Sequence, residues 1–234
     1  MDRGLMNLQQ LPLAMQLPDA HTFATYVTGE NQEVLALLRE STEPFVYLWG
    51  AHGVGKSHLL HAMCAQLHIN TTAMYVPLRD LLEQQVEASI LRGLEQFSLV
   101  CIDDLDAVVN QHDWCFELFA LFNRIQDRGQ TRLLVTAAMS PTQLPAAIPD
   151  TQSRLQWGIA VQIKALQDAD KAQALRQRAA ALGLQLRDET ASFMVQRLGR
   201  DMAELMATLA QLDRASMAAQ RRLTIPFVKQ VLDI

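Results

Sequence analysis

Eight residues, Gly50-Ala-His-Gly-Val-Gly-Lys-Ser57, hold the clearest chemistry in this chain. They satisfy G-x-x-x-x-G-K-[ST], the pattern of a phosphate-cradling loop. The glycines let the backbone turn its N–H groups onto phosphate oxygens, and the helix that follows adds the partial positive charge of its N-terminus. Lys56 can reach the terminal phosphates, and Ser57 can offer its hydroxyl to Mg2+. The contacts predicted for a bound nucleoside di- or triphosphate are His52, Gly53, Val54, Gly55, Lys56, Ser57 and the adjoining His58.

Further candidates lie downstream. Asp103 and Asp104 close an apolar run, Leu-Val-Cys-Ile, 46 positions after Ser57. A carboxylate at a strand end beside such a loop holds magnesium directly or through water, a role that Asp103 fits. Asp104 is read as the residue that orients the attacking water. Thr136 ends another strand, where it either meets the γ-phosphate or serves as an ordinary strand-end hydroxyl. Arg154, in the turn-rich Pro149–Leu155, is open to two roles: a guanidinium acting on a neighbour's phosphates, or half of a surface ion pair. Arg200 either folds over the nucleotide or is a surface charge at a helix start. Phe23, Tyr26 and Val27 line a base pocket or belong to the core.

These residues need a scaffold, and the hydrophobic pattern supplies one. Phe45–Trp49 and Ser98–Asp104 read as short buried strands, and Thr72–Val76, Arg132–Thr136 and Ala160–Ile163 as further strands. Between them lie helical patterns: one after the loop (Leu59, Leu60, Met63, Leu67), one opened by Pro77 and running to Leu91, and one through Trp114, Leu118, Leu121, Phe122 and Ile125. Alternating strands and helices predict an α/β fold, a mostly parallel five-stranded sheet covered on both faces. Beyond about residue 165 the pattern is helical only, with segments 168–182, 188–198 and 201–218 and a last one from Pro226. This predicts an extended segment over 1–21, a nucleotide-binding domain over 22–165 and a small all-α domain over 166–234.

Composition narrows the function classes. The chain has 234 residues, half of them hydrophobic, and a net charge of −5. The helical region holds ten basic against eight acidic residues, too slight an excess for a DNA-binding face. Cys64, Cys101 and Cys115 are odd in number and widely spaced, so neither a zinc site nor a disulfide framework is expected, and reduced thiols in a cytoplasm are. No run reaches the length of a membrane span, and no signal peptide is read.

In this order the pieces resemble the AAA+ ATPases, and within them the family of the replication initiator DnaA. The resemblance rests on Thr22-Phe23 with Val27 and Gly29, on Gly50–Ser57 followed by His58-Leu-Leu-His61, and on Ile102-Asp103-Asp104. It continues through Ser153-Arg154-Leu155 with Trp157-Gly158, the helical lid and Leu223–Pro226. It covers about 22–234. The resemblance runs out with the lid at the end of these 234 residues, so a regulator lacking the helix-turn-helix domain of an initiator is expected. It begins with Gln10-Leu-Pro-Leu13, similar to the short peptides that dock on the sliding clamp.

What the resemblance implies is a regulator that inactivates DnaA. Bound to the DNA-loaded clamp through Gln10, Leu11 and Leu13, it would promote hydrolysis of the ATP on DnaA, with Arg154 as arginine finger. A homo-oligomer is also implied. Ala137-Ala138 and Ala203 stand where the family carries sensor residues, which implies weak hydrolysis of its own and a diphosphate held rather than turned over; Arg200 lies one turn before Ala203. Two other readings remain. An initiator or helicase loader requires a basic DNA surface, which the charge does not supply. A small-molecule P-loop kinase requires a substrate lid near 77–95, whereas the helical region is C-terminal.

Overall fold

The computed structural model describes residues 21–66, 72–199 and 201–234. Helix α1 (Gln32–Glu40) leads into β1 (Phe45–Trp49), and the glycine loop joins β1 to α2 (Lys56–Ala65). Then follow β2 (Ala73–Pro77), α3 (Leu78–Glu83), β3 (Leu99–Asp103), α4 (His112–Arg128), β4 (Arg132–Ala137), α5 (Pro149–Leu155) and β5 (Ile159–Gln162). Four helices complete the chain: α6 (Asp168–Ala181), α7 (Asp188–Arg197), α8 (Met202–Ala219) and α9 (Ile225–Leu232).

The five strands form one all-parallel sheet in the order β2-β3-β4-β1-β5. The three central strands are covered on both faces, which is why their sequences are continuous apolar runs. Side chains still alternate between the faces. Tyr47, Val100, Ile102, Leu133 and Val135 pack with Leu118, Leu121 and Phe122 of α4. Val46, Leu48, Cys101 and Leu134 pack with Val34 and Leu38 of α1 and Leu59, Leu60 and Met63 of α2. Helices α6–α9 enclose a separate core built on Leu175, Met194, Leu205, Leu209 and Phe227. Buried Asn31 fastens the passage to these helices: its amide donates to the Lys164 carbonyl (3.0 Å) and accepts from the Lys164 N–H (2.8 Å).

One element differs from its sequence pattern. The helix read from Pro77 to Leu91 ends at Glu83, and two 3-10 turns, Ala88–Leu91 and Leu94–Gln96, replace its continuation. Gln85 takes a left-handed conformation, φ 57°, and the Val86 N–H closes back on the Leu81 carbonyl. Leu81, Ala88, Leu91 and Leu94 all stay buried. Of the apolar residues read as one helical face, Leu78, Leu81 and Leu91 are buried, whereas Leu82, Val86 and Ile90 are only partly so, because the backbone reverses at Gln85.

The three cysteines are free thiols, with Cys64 and Cys101 in contact at 3.6 Å between sulfurs. Among the described residues no helix is long and apolar enough to cross a membrane.

Candidate nucleotide site

The parallel sheet brings its C-terminal strand ends together, where such folds bind ligands. Gly50, just past β1, donates its N–H to the Ala137 carbonyl at the end of β4, and β3 next to β4 ends at Asp103. Gly55 caps α2 at φ +95°, and a Cβ there would lie 2.9 Å from the Tyr26 ring. Only glycine satisfies both the turn and the contact. Buried Lys56 donates to the carbonyls of Gly50 (2.9 Å) and Ala51 (2.8 Å). Burial lowers its pKa, while Asp104, Asp103 and Asp106 push it back up. The ammonium is thus stored against its own loop, beside the space that phosphates would fill.

Asp103 is buried, and both its oxygens accept hydrogen bonds: Oδ2 from the Tyr75 hydroxyl (2.7 Å), Oδ1 from the Thr136 hydroxyl. Burial and the Asp103 charge raise the pKa of Tyr75, which keeps that donor protonated. Thr136 also accepts the Asp104 N–H (3.1 Å). Its hydroxyl therefore organises the strand end. Asp104 has left the strand in a left-handed conformation, φ 55°, and its carboxylate pairs with Arg79 at 3.0 Å. Asp106 pairs with the same arginine (3.4 Å) and accepts the Ala138 N–H (2.9 Å).

From the loop extends a cavity of about 580 Å³, within the usual size range for small-molecule sites. His52, Gly53, Val54, Gly55, Lys56, Ser57, His58 and Asp104 line its phosphate end. Tyr26, Val27 and Leu166, together with Met206, Leu209 and Ala210 of α8 and Gln177 and Arg178 of α6, also line the cavity. The Tyr26 hydroxyl is buried without a hydrogen-bond partner among the described residues, and burial raises its pKa to about 12. Phe23 is placed elsewhere. The turn closed by the Thr25 N–H on the Thr22 carbonyl sends it to a shallow groove, where Arg39 stands 5.7 Å from its ring. The base-pocket role predicted for Phe23 is corrected to packing against the core of α1 and α2.

Three histidines tie the start of the described chain to α2. His21 stacks on His58 at 4.7 Å and on His61 at 5.2 Å, and the Nδ1 atoms of His21 and His61 lie 2.9 Å apart. His61 continues to the Tyr75 ring (4.4 Å), and so to Asp103.

The lid touches the loop through Asp201, the N-cap of α8. Its Oδ1 accepts from the N–H groups of Ala203 (2.7 Å) and Glu204 (3.2 Å), and Oδ2 meets His52 Nδ1 at 3.2 Å. Ala203 lines the cavity and brings no cation to it. Arg200 lies outside the described residues, as do Gln10, Leu11 and Leu13.

Arg154, at the end of α5, is not part of the cavity wall. Its guanidinium rests on the Trp157 ring at 3.6 Å. Gly158 then enters β5 against Phe45, the first residue of β1, while the loop begins after the last. Five strand residues separate the two ends, roughly 16 Å.

Residues 17–162 match the family model of the bacterial DnaA ATPase domain. The chain belongs to the DnaA family. Residues 168–232 match the model described as the lid domain of Hda. The fold is that of domain III of the Thermotoga maritima replication initiation protein DnaA, at 18% identity and TM-score 0.79 over 92% of this chain and 96% of that one. DnaA from Aquifex aeolicus in its AMPPCP-bound form is similar at 17% identity and TM-score 0.65, over 88% and 71% of the two chains. The Holliday-junction branch migration motor RuvB of T. maritima is similar at 16% identity and TM-score 0.62, over 86% and 64%. The architecture is AAA+, an α/β core with a helical lid.

The DnaA-family site includes residues that the sequence reading left aside. Tyr75 braces Asp103, Asp106 holds the Ala138 N–H and shares Arg79 with Asp104, Asp201 meets the loop, and Gln177, Arg178 and Met206 line the cavity. None has a motif, because each acts across a fold contact. The His58-Leu-Leu-His61 run was the one visible trace of the histidine stack.

Proposed function

We propose that this chain regulates DnaA by holding a nucleotide itself and presenting Arg154 to ATP bound on DnaA. The observation that carries the proposal is the placement of Arg154: outside its own cavity, four residues before Gly158, which packs on the end of β1 away from the loop, and without a carboxylate partner among the described residues. Since it does not line its own cavity, it is assigned to a neighbour's phosphates.

The cavity fits a nucleotide. The left-handed Gly55, the stored Lys56 and the N-terminus of α2 form a phosphate cradle, and the far wall is apolar around the Tyr26 hydroxyl, which awaits a polar partner. Among the described residues no three His, Cys, Asp or Glu side chains converge as a metal cage. Magnesium held by a hydroxyl, one carboxylate and phosphate oxygens needs none. Ser57 and buried Asp103 would supply the protein's share, with Tyr75 and Thr136 fixing the carboxylate. When bound, magnesium would neutralise phosphate charge.

For its own turnover the site is poorly equipped. Asp104 is paired with Arg79, and Ala138 and Ala203 provide no polar side chain toward the phosphates. A retained diphosphate is the reading this supports. Gln10, Leu11 and Leu13 would bind the DNA-loaded clamp, bringing the chain to newly replicated DNA where DnaA is to be silenced, in the cytoplasm.

The test is hydrolysis by ATP–DnaA in the presence of DNA-loaded clamp and this chain. Wild type should stimulate it. Arg154→Ala should bind ADP and clamp normally yet lose stimulation by about 10³-fold or more. Arg154→Lys should not rescue, since the planar fork is gone. Full stimulation by Arg154→Ala would remove the trans role.

A further inference from the structure

Arg154 is held by an aromatic face. Its guanidinium carbon lies 3.6 Å from the centre of the Trp157 ring and 5.5 Å from that of Phe119. An indole attracts a cation through its face without accepting the N–H bonds at the guanidinium edge. The fork of donors therefore stays available to an anion with two oxygens. A carboxylate in the same place would have consumed it.

The ring is fixed by the backbone beneath it. The Trp157 N–H donates to the Arg154 carbonyl at 3.1 Å, closing the last turn of α5. The next residue, Gly158, sits where a Cβ would be 2.4 Å from the Phe45 carbonyl oxygen, so the chain is wedged onto β1 immediately after the ring. Trp157 itself is 56% exposed. Core packing does not account for it.

We propose that Trp157 is a positioning residue for Arg154: the indole holds the guanidinium extended and unpaired, with its N–H edge presented to the terminal phosphates of a partner's nucleotide. This rests on the trans reading of Arg154. Without the ring, the arginine recovers the rotamers of a free surface side chain and meets the phosphates less often in the productive geometry.

The experiment uses the full chain with ATP–DnaA and DNA-loaded clamp. Trp157→Leu should lower the maximal stimulated rate about three- to thirty-fold, while the half-saturating concentration of the chain and its own ADP affinity stay within about twofold of wild type. Trp157→Phe, which keeps a ring, should recover most of the rate. On an Arg154→Ala background Trp157→Leu should cost nothing more. Trp157 emission, isolated as the difference between wild type and Trp157→Phe, should change when Arg154 becomes alanine. The positioning role is overturned if Trp157→Leu reaches the wild-type maximal rate, if it only raises the half-saturating concentration, if it slows the Arg154→Ala protein further, or if Trp157 emission ignores Arg154. A normal loss in Arg154→Ala beside a fully active Trp157→Leu removes the positioning role alone; stimulation by Arg154→Ala removes the trans reading and the positioning role with it.

Discussion

Lys56 rests on the carbonyls of Gly50 and Ala51. Binding phosphate exchanges two neutral acceptors for charged ones, which strengthens each bond. Lys56→Ala should weaken ADP binding roughly ten- to a hundred-fold in isothermal titration, since charge-assisted bonds are worth about 1.5–3 kcal/mol. An unchanged affinity would mean that the loop backbone alone does the binding. At this scale the loop and Asp103 were legible because motif spacing encodes them locally. The engagement of Asp104 was not. Whether a strand-end carboxylate faces a phosphate or an arginine depends on one left-handed residue and on Arg79, 25 positions earlier.

Elements show the same division. All five strands were legible from their apolar runs, each within a residue or so of its observed limits. The break after α3 was not, because Gln85 is not a residue type that announces a left-handed turn. Gly158, by contrast, can be tested directly. A methyl there meets backbone rather than a movable side chain, so Gly158→Ala should destabilise the chain by about 1–3 kcal/mol in urea unfolding, as overpacking does. The histidine stack gives a pH signature at the junction of residues 21–27 with α2. Burial, then the neighbouring His58, His61 and Arg178, hold His21 down from 6.5 to about 4. The unfolded chain takes up this proton near pH 6.5 and the folded chain only near 4. Stability should therefore fall as pH drops through that window and be fully present above it. His58 and His61 are lowered as well, chiefly by burial, and act in the same direction. Denaturant midpoints between pH 4 and 7 should show the slope, and His21→Asn should flatten it; an equal slope in that variant would place its origin elsewhere.

For the whole molecule, the division into sheet and lid followed from where strand periodicity stops. The contact of Asp201 with His52, spanning 149 positions, was beyond any local signal. Replacing both Gln10 and Leu11 by alanine should abolish capture on immobilised clamp and leave ADP affinity untouched, because two anchors dominate a short peptide; retained capture would send the search to the folded surface. A last consequence comes from Arg154 lying outside the cavity of its own chain. A contact that seats the arginine of one copy at the cavity of another joins unlike surfaces and, where no two-fold axis makes it reciprocal, is heterologous. Such an assembly has polarity: each added copy leaves one unfilled cavity at one end and one unspent arginine at the other. If the proposed trans role holds, this chain would join a DnaA assembly through its arginine at a terminus in one direction only, and its own cavity would become the new free end.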